Sequence, residues 1–106
     1  MNKTLQLLGL ARRAGRLIAG TDAVTDAVKK GKAKAILLTA DASVRHAREL
    51  KTMGYEGKTL TLPCDMDTAG AAVGKRSCIF ALTDGGFAAA VEKSLNEEDA
   101  KHASKI

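Results

Sequence analysis

Residues 35–40 form the sequence feature that most restricts the fold. They read Ala-Ile-Leu-Leu-Thr-Ala and lack the alternation of apolar and polar side chains that marks a strand with one solvated face. An unbroken run of this kind is expected of an interior strand that is covered on both faces. The run therefore predicts a buried strand in a sheet with helices on both sides.

A shorter strand and a helix precede this run. Residues 17–19 are apolar, Gly20 breaks the strand, and Thr21 can cap a helix that carries its apolar side chains on one face. Gly31 stands where a helix commonly ends in a left-handed residue. With a further helix start at Asp41, this order predicts a βαβ unit in which the turns after the two strands open near each other, an arrangement that commonly holds ligands.

The remaining chain continues the alternation of helices and strands. The further predicted elements are a helix over 3–14, a helix over 43–53, a strand over 58–62, a helix from Asp65 or Asp67 to Val73, a strand over 78–83, and a helix capped by Asp84. The order predicts a single domain over residues 1–95, a three-layer α/β/α sandwich with a small four-stranded mixed sheet. Residues 96–106 are polar and aperiodic, which predicts a frayed C-terminal tail.

Positive charge is concentrated in the first third of the chain. The net charge is +5, and residues 1–34 carry eight Lys or Arg against two acids, whereas the rest carries nine against ten. Arg12, Arg13 and Arg16 cluster where the first helix ends. This asymmetry favours a polyanionic partner, and without a hydrophobic span or a signal peptide we expect nucleic acid rather than membrane, and a cytoplasmic location.

The sequence offers little for catalysis or for metal binding. Cys64 and Cys78 are the only cysteines, and His46 stands at no ligand spacing to them. We therefore expect both thiols to be reduced and packed, and His46 to be a solvated surface side chain. No serine or cysteine stands in a recognisable nucleophile motif, so we predict no enzymatic activity, no cofactor and no metal.

Residues 70–77 superficially look like a phosphate-binding loop. In such a loop four residues separate the glycines, and Ser or Thr follows the lysine directly. Here three residues separate Gly70 from Gly74, and Arg76 follows Lys75. The segment also leaves a predicted helix to enter a strand, which is the reverse of the required order, so nucleotide hydrolysis is not expected.

Residues 20–34, with the apolar run and Asp41-Ala42-Ser43 after them, resemble the signature of the ribosomal L7Ae/L30e superfamily of kink-turn RNA-binding proteins. Residues 8–15, 70–74 and 83–88 are similar to a bacterial branch of it. The resemblance covers residues 3–95. It implies an α/β/α sandwich that binds a sharply bent, internally looped RNA stem without catalysis or cofactor.

The chain departs from that family in the loop after the first strand. The family reads Gly-x-Asn-Glu-x-x-Lys there, and its amide and lysine contact guanines. This chain keeps Gly20 but has Asp22, Ala23 and Asp26 at the other three positions. A carboxylate cannot donate to guanine O6 or N7, although it can accept from the N1 and N2 hydrogens.

The resemblance and the charge pattern together suggest an RNA-binding surface. The resemblance implies that Lys30 contacts phosphate and that Ser43 lies near the RNA, while Lys75 and Arg76 carry positive charge where relatives pack an apolar side chain. The predicted RNA-binding residues are Arg12, Arg13, Arg16, Gly20, Thr21, Asp22, Lys30, Lys32, Ser43, Lys75 and Arg76.

We expect a ribosome-associated protein whose partner is ribosomal RNA or a structured leader RNA, and possible contacts with ribosomal proteins. Two alternatives from other classes stay open. One is a protein-interaction module for an acidic partner, and the other is a small-molecule enzyme on the same fold.

Overall fold

The computed structural model describes the backbone of residues 2–42 and 44–103, and the side chains of residues 3–42 and 45–97. Within these ranges the chain forms five helices and four strands. They are α1 (Asn2–Arg13), β1 (Leu17–Ala19), α2 (Thr21–Lys29), β2 (Ala35–Thr39), α3 (Val44–Thr52), β3 (Lys58–Leu62), α4 (Met66–Val73), β4 (Ile79–Leu82) and α5 (Gly85–Ala103).

The strands form one mixed sheet in the order β1-β4-β2-β3. Strand β2 is parallel to β3, whereas β4 is antiparallel to both of its neighbours, β1 and β2. The strands β1, β2 and β3 consequently run in the same direction, so their carboxyl ends meet at one edge of the sheet together with the amino end of β4.

Alternate side chains of the sheet supply two hydrophobic cores. On one face Leu37 and Phe80 pack with residues of α1, α4 and α5, and on the other Ile36 and Ile79 pack with residues of α2 and α3. Every residue of β2 is buried, as the unbroken apolar run predicts. The predicted three-layer α/β/α sandwich is confirmed.

Several predicted helix ends are also confirmed by their hydrogen bonds. The Asp65 carboxylate accepts from the Thr68 amide at 2.8 Å, and the Asp84 carboxylate accepts from the Phe87 amide at 2.9 Å. Gly31 and Gly74 both adopt positive φ angles, of 70° and 84°, in the turns that end their helices.

The prediction that Thr21 caps α2 is wrong. The cap residue is Gly20, whose backbone has φ 104° and ψ 147°, and no side chain bonds to the first amides of the helix. Thr21 is the first residue of the helix itself. The physical reason is that the strand ends in a conformation that only glycine adopts readily, which places the helix start at that residue.

The last helix is longer than the sequence indicates, because α5 continues past Leu95 to Ala103. Polar residues on a surface helix need no apolar period, so the polar composition after Leu95 does not end the helix. Residues 104–106 lie outside the described residues. Fraying of the last turns, and the domain limit at residue 95, stay predictions. Among the described residues, no helix combines the length and the hydropathy needed to cross a bilayer.

Candidate nucleic-acid interface

Most of the predicted RNA-binding residues lie at two opposite edges of the sheet. We call the edge at the carboxyl ends of β1, β2 and β3 the upper edge, and Gly20, Asp41 and the loop of residues 74–78 belong to it. The other edge, the lower edge, holds the residues before β1 and β2, among them Arg16 and Lys34. Helix α2 begins at the upper edge and ends at the lower edge.

At the upper edge, Lys75 lies against the end of β1. Its Nζ donates to the Ala19 carbonyl at 3.3 Å, and a Cβ built on Gly20 would lie 3.4 Å from the same nitrogen. The Gly20 amide in turn donates to the Ile79 carbonyl at 3.2 Å. A positive charge is therefore held beside the glycine that opens α2.

The amino end of α2 beside this lysine presents backbone donors. The Gly20 carbonyl accepts from the Val24 amide at 2.9 Å, so the helical bonding starts there and the amides of residues 21–23 precede it. No side chain among the described residues caps them, and Thr21 and Asp22 are exposed. Uncapped amides at a helix start, together with the positive end of the helix dipole, suit an anion or a base-edge acceptor.

The next residue, Arg76, is held by α4. Its guanidinium forms an exposed ion pair with Asp67, which raises the pKa of Arg76. Gly70 of α4 lies directly under this loop, because a Cβ built on it would be 2.7 Å from the Cα of Arg76. The absence of a side chain at Gly70 thus lets the loop of Lys75 and Arg76 pass close over the helix.

Asp41 fastens the turn after β2 to the start of α4. Its carboxylate accepts from the Thr39 hydroxyl at 2.6 Å and from the Met66 amide at 3.1 Å. The Thr39 hydrogen bond, with the Met66 amide adding to it, lowers the pKa of the Asp41 carboxyl. The carboxylate therefore stays ionised and acts as a fixed part of the upper edge.

The upper edge is not a basic surface. Asp22, Asp41, Asp65 and Asp67 are exposed there, and the cations predicted for this edge are Lys75 and Arg76. Of those two, Arg76 already faces Asp67. Binding of RNA at this edge would depend on oriented donors and on Lys75 more than on a broad positive field.

The lower edge has the opposite character. Arg16, Lys32 and Lys34 line a shallow cleft of about 540 Å³ with Gly15, Gly31, Ile18 and Thr83. All three cations are exposed, and none of them forms an ion pair within the described residues. Sequence reasoning selected Arg16 and Lys32 but missed Lys34, which directly precedes β2.

The single positive rim expected from the sequence is therefore wrong, because its members face different ways. Lys30 and Lys32 follow α2 at the lower edge, and the Lys30 ammonium pairs with Asp26 at 3.0 Å. Arg12 and Arg13 line a groove between α1 and α4. Of the predicted residues that the structure describes, five come together at the upper edge: Gly20, Thr21, Asp22, Lys75 and Arg76. Ser43 lies outside the described residues.

His46 is not the solvated side chain that we expected. It is half-buried, and its Nε2 lies 3.8 Å from the Sγ of Cys78, while its Nδ1 is buried without a hydrogen-bond partner in the described part of the chain. The prediction for His46 fails because β4 begins under the first turn of α3. The contact between these two segments is not visible in the local sequence.

Both cysteines are free and half-buried, in agreement with the prediction, and burial raises the pKa of the Cys64 thiol. Among the described residues, no group of three or more His, Cys, Asp or Glu side chains is arranged to hold a metal ion.

Comparisons with known proteins agree on one family. The family model described as ribosomal protein L7Ae/L30e/S12e/Gadd45 matches residues 2–91. The chain is 34% identical over 84 residues to a Bacillus subtilis protein named RNA-binding protein YlxQ, covering 77% of this chain and 84% of the relative. It is 32% identical over 88 residues to the Enterococcus faecium protein of the same name, and the match covers 81% of this chain and 84% of the relative. The solved structure of a Bacillus halodurans protein of unknown function is similar with a TM-score of 0.77 and 28% identity, over 88% of this chain and 96% of that one.

Proposed function

The chain belongs to the ribosomal protein L7Ae/L30e/S12e/Gadd45 family, and from this membership we propose that it is a non-catalytic RNA-binding protein that recognises a kink-turn or a similarly bent internal loop. The RNA contacts the upper edge, at the loop and amino end of α2. Two relatives carry the name RNA-binding protein, which supports the choice of partner.

The observation that carries the proposal is the uncapped start of α2 beside Lys75. The amides of residues 21–23 are free of side-chain caps, and the Lys75 ammonium lies next to Gly20. Amides of this kind hydrogen-bond phosphate oxygens or base acceptors, and the lysine adds a charge-assisted contact. A bent internal loop brings unstacked base edges and phosphates within reach of one small surface.

Asp22 defines how base recognition by this chain differs from that of the family. Its carboxylate is exposed in the first turn of α2. A carboxylate accepts from the N1 and N2 hydrogens of guanine and repels phosphate. Asp22 thus favours a guanine whose Watson–Crick edge is free, as in an internal loop, over a fully paired stem.

We place this activity on the ribosome or its assembly, with ribosomal RNA or a structured leader RNA as the bound molecule. The alternative of a module for an acidic protein partner remains testable by the same titrations.

The direct test is a titration with two RNAs of matched length and base composition. One carries a kink-turn internal loop and the other is a continuous duplex. We expect tighter binding to the looped RNA, because only that RNA exposes base edges to the α2 amides and Asp22. Equal affinity for both would remove the loop-recognition part of the proposal. Absence of binding to either RNA, with binding to an acidic polypeptide, would replace it by the protein-interaction alternative.

A further inference from the structure

We propose that the lower edge is a second RNA-binding surface, at which Arg16, Lys32 and Lys34 hold the phosphate backbone of another segment of the RNA bound at the upper edge. The inference takes from the proposed function only that the partner is RNA. It concerns residues at the opposite end of the strands from Gly20 and Lys75.

The cations of the lower edge are held in place by the fold. The turns that follow α1 and α2 contain Gly15 and Gly31, which have positive φ angles of 73° and 70°. Each glycine is followed at once by a cation, Arg16 or Lys32. The Arg16 carbonyl accepts from the Thr83 amide at 2.9 Å, and the Lys34 amide donates to the Leu82 carbonyl at 2.7 Å. Both flanks of the cleft are therefore fixed to the end of β4.

Strand order sets the spacing of the two flanks. Because β4 lies between β1 and β2, Arg16 and Lys34 start two strand spacings apart, or about 10 Å. Long flexible side chains on both sides can reach one phosphate track between them. Arg16 offers a planar fork for phosphate, and the two lysines offer compact charges.

The positive charge of the lower edge is larger than the negative partial charge at the carboxyl ends of the helices beside it. The carboxyl ends of α1 and α2 together carry about one negative elementary charge, at about half a charge each. Arg16, Lys32 and Lys34 supply three formal positive charges without an ion pair in the described part of the chain. Asp84 adds one negative charge after Thr83, and this charge faces the positive end of the α5 dipole, so the three cations still outnumber the negative charges. A net positive potential is left at the cleft.

The composition of the cleft favours a nucleic-acid backbone over a protein. Protein interfaces bury apolar and aromatic side chains and are depleted in lysine. This cleft is lined by Gly15, Gly31, Thr83 and the three cations, with Ile18 as its only large apolar member among the described residues. Contacts of Lys and Arg with phosphate need no apolar partner and dominate nucleic-acid affinity.

The separation of the two edges suits an RNA with two arms. Helix α2 joins them and has nine residues, which at 1.5 Å per residue makes about 13 Å. A bent RNA that is seated at the upper edge can direct a second arm along the molecule to the lower edge. Binding at the lower edge therefore adds to the preference for bent RNA that is proposed for the upper edge.

The test uses the variant Arg16→Gln, Lys32→Gln, Lys34→Gln in the full chain. Its matched control is Lys3→Gln, Arg48→Gln, Lys51→Gln, which removes the same charge from exposed positions that do not line the cleft of the lower edge. Each protein is titrated with a minimal looped hairpin and with the same loop flanked by two long helical arms, at several salt concentrations. Thermal unfolding checks that the variants are folded.

For the long-armed RNA, we expect the lower-edge variant to bind between about tenfold and a hundredfold more weakly at 0.1 M salt. The slope of log affinity against log salt should become shallower by about 2 to 3, since each lost phosphate contact contributes about 0.7 to 0.9. Affinity for the minimal hairpin and the behaviour of the control variant should stay near wild type.

Other outcomes separate this inference from the proposed function. Wild-type affinity and slope in the lower-edge variant, with loop preference retained, would overturn the second surface and leave the upper-edge proposal standing. An equal loss in the control variant would overturn it as well, because net charge alone would then explain the effect. Full RNA affinity combined with lost binding of polyglutamate would overturn the assignment to RNA.

Discussion

The backbone of Arg76 passes directly over Gly70, so that a Cβ on Gly70 would lie 2.7 Å from the Arg76 Cα. Gly70→Ala should therefore push the loop that carries Lys75 and Arg76 away from α4. Overpacking costs about 1–3 kcal/mol, and alanine returns up to about 1 kcal/mol of helix propensity, so we expect a net loss of about 1–2 kcal/mol in the free energy of unfolding. Urea unfolding measures this loss, and RNA affinity should fall with it.

Gly85→Ala is the matched control for that substitution. Gly85 also lies in a helix, but a Cβ there meets no atom within 4 Å. The control should be neutral or slightly stabilising and should leave RNA affinity unchanged. A Gly70→Ala protein as stable as wild type would show that the loop can shift at no cost.

Lys75→Met should weaken RNA binding more than it weakens the fold. It removes the ammonium beside Gly20 and its bond to the Ala19 carbonyl, but keeps much of the apolar length of the side chain. The log-log salt slope should fall by no more than about one unit, as for one phosphate contact. Lys93→Met, at an exposed position of α5, is the control. Identical RNA affinities in the two variants would exclude Lys75 from the interface.

Asp22→Asn should raise RNA affinity and lower stability. The amide no longer repels phosphate, keeps an oxygen that accepts from the guanine N1 or N2 hydrogens, and can also donate to guanine O6 or N7. The same change removes a carboxylate from the first turn of α2, where it stabilises the helix dipole by about 0.3–1 kcal/mol. Titration with looped RNA and thermal unfolding measure the two effects separately.

Adding Asp26→Lys should increase the gain in affinity, although it replaces the ion pair of Asp26 with Lys30 by a repulsion. A double variant without any gain would indicate that the RNA does not approach this part of α2.

Asp41 should make the stability of the protein fall in acid. The Thr39 hydroxyl and the Met66 amide lower the pKa of the folded carboxyl below its unfolded value. A group with a lowered folded pKa stabilises the protein fully above the unfolded pKa, and that contribution is lost as the pH drops through the folded pKa. Below about pH 4 we therefore expect wild type to lose stability faster than Asp41→Asn. Thermal unfolding midpoints between pH 7 and pH 2.5 measure the difference, and a constant gap between the two proteins across that range would contradict it.

Local patterns predicted the elements of the fold well. The buried run of β2, the Asp65 and Asp84 caps and the glycine at position 31 each depend on interactions within a few residues. Such interactions can be identified from short stretches of sequence. The cap at Thr21 was misassigned because threonine and glycine both suit a helix start, and only the backbone angle of Gly20 distinguishes them.

The candidate site was less predictable because it depends on strand order. Lys75 reaches Ala19 across 56 positions of the chain, and His46 reaches Cys78 across 32. Neither pair has a local signal. Because strand order cannot be identified from local sequence, the cations of two edges were predicted to form one surface. The position of Lys34 directly before β2, like that of Arg16 before β1, would have identified the lower edge once both strands were known to be parallel.

The insertion of β4 between β1 and β2 has a consequence for biosynthesis. During translation, β1 has no neighbour with which to pair until residues 79–82 have left the ribosome, although β2 and β3 can already associate. Both pairings of β4 therefore form late and over long separations in sequence, which slows folding. A nascent chain that stops short of β4 lacks both the anchor of the Gly20 amide on Ile79 and that of the Lys34 amide on Leu82. In the proposed function, neither RNA-binding surface is complete before β4 has joined the sheet.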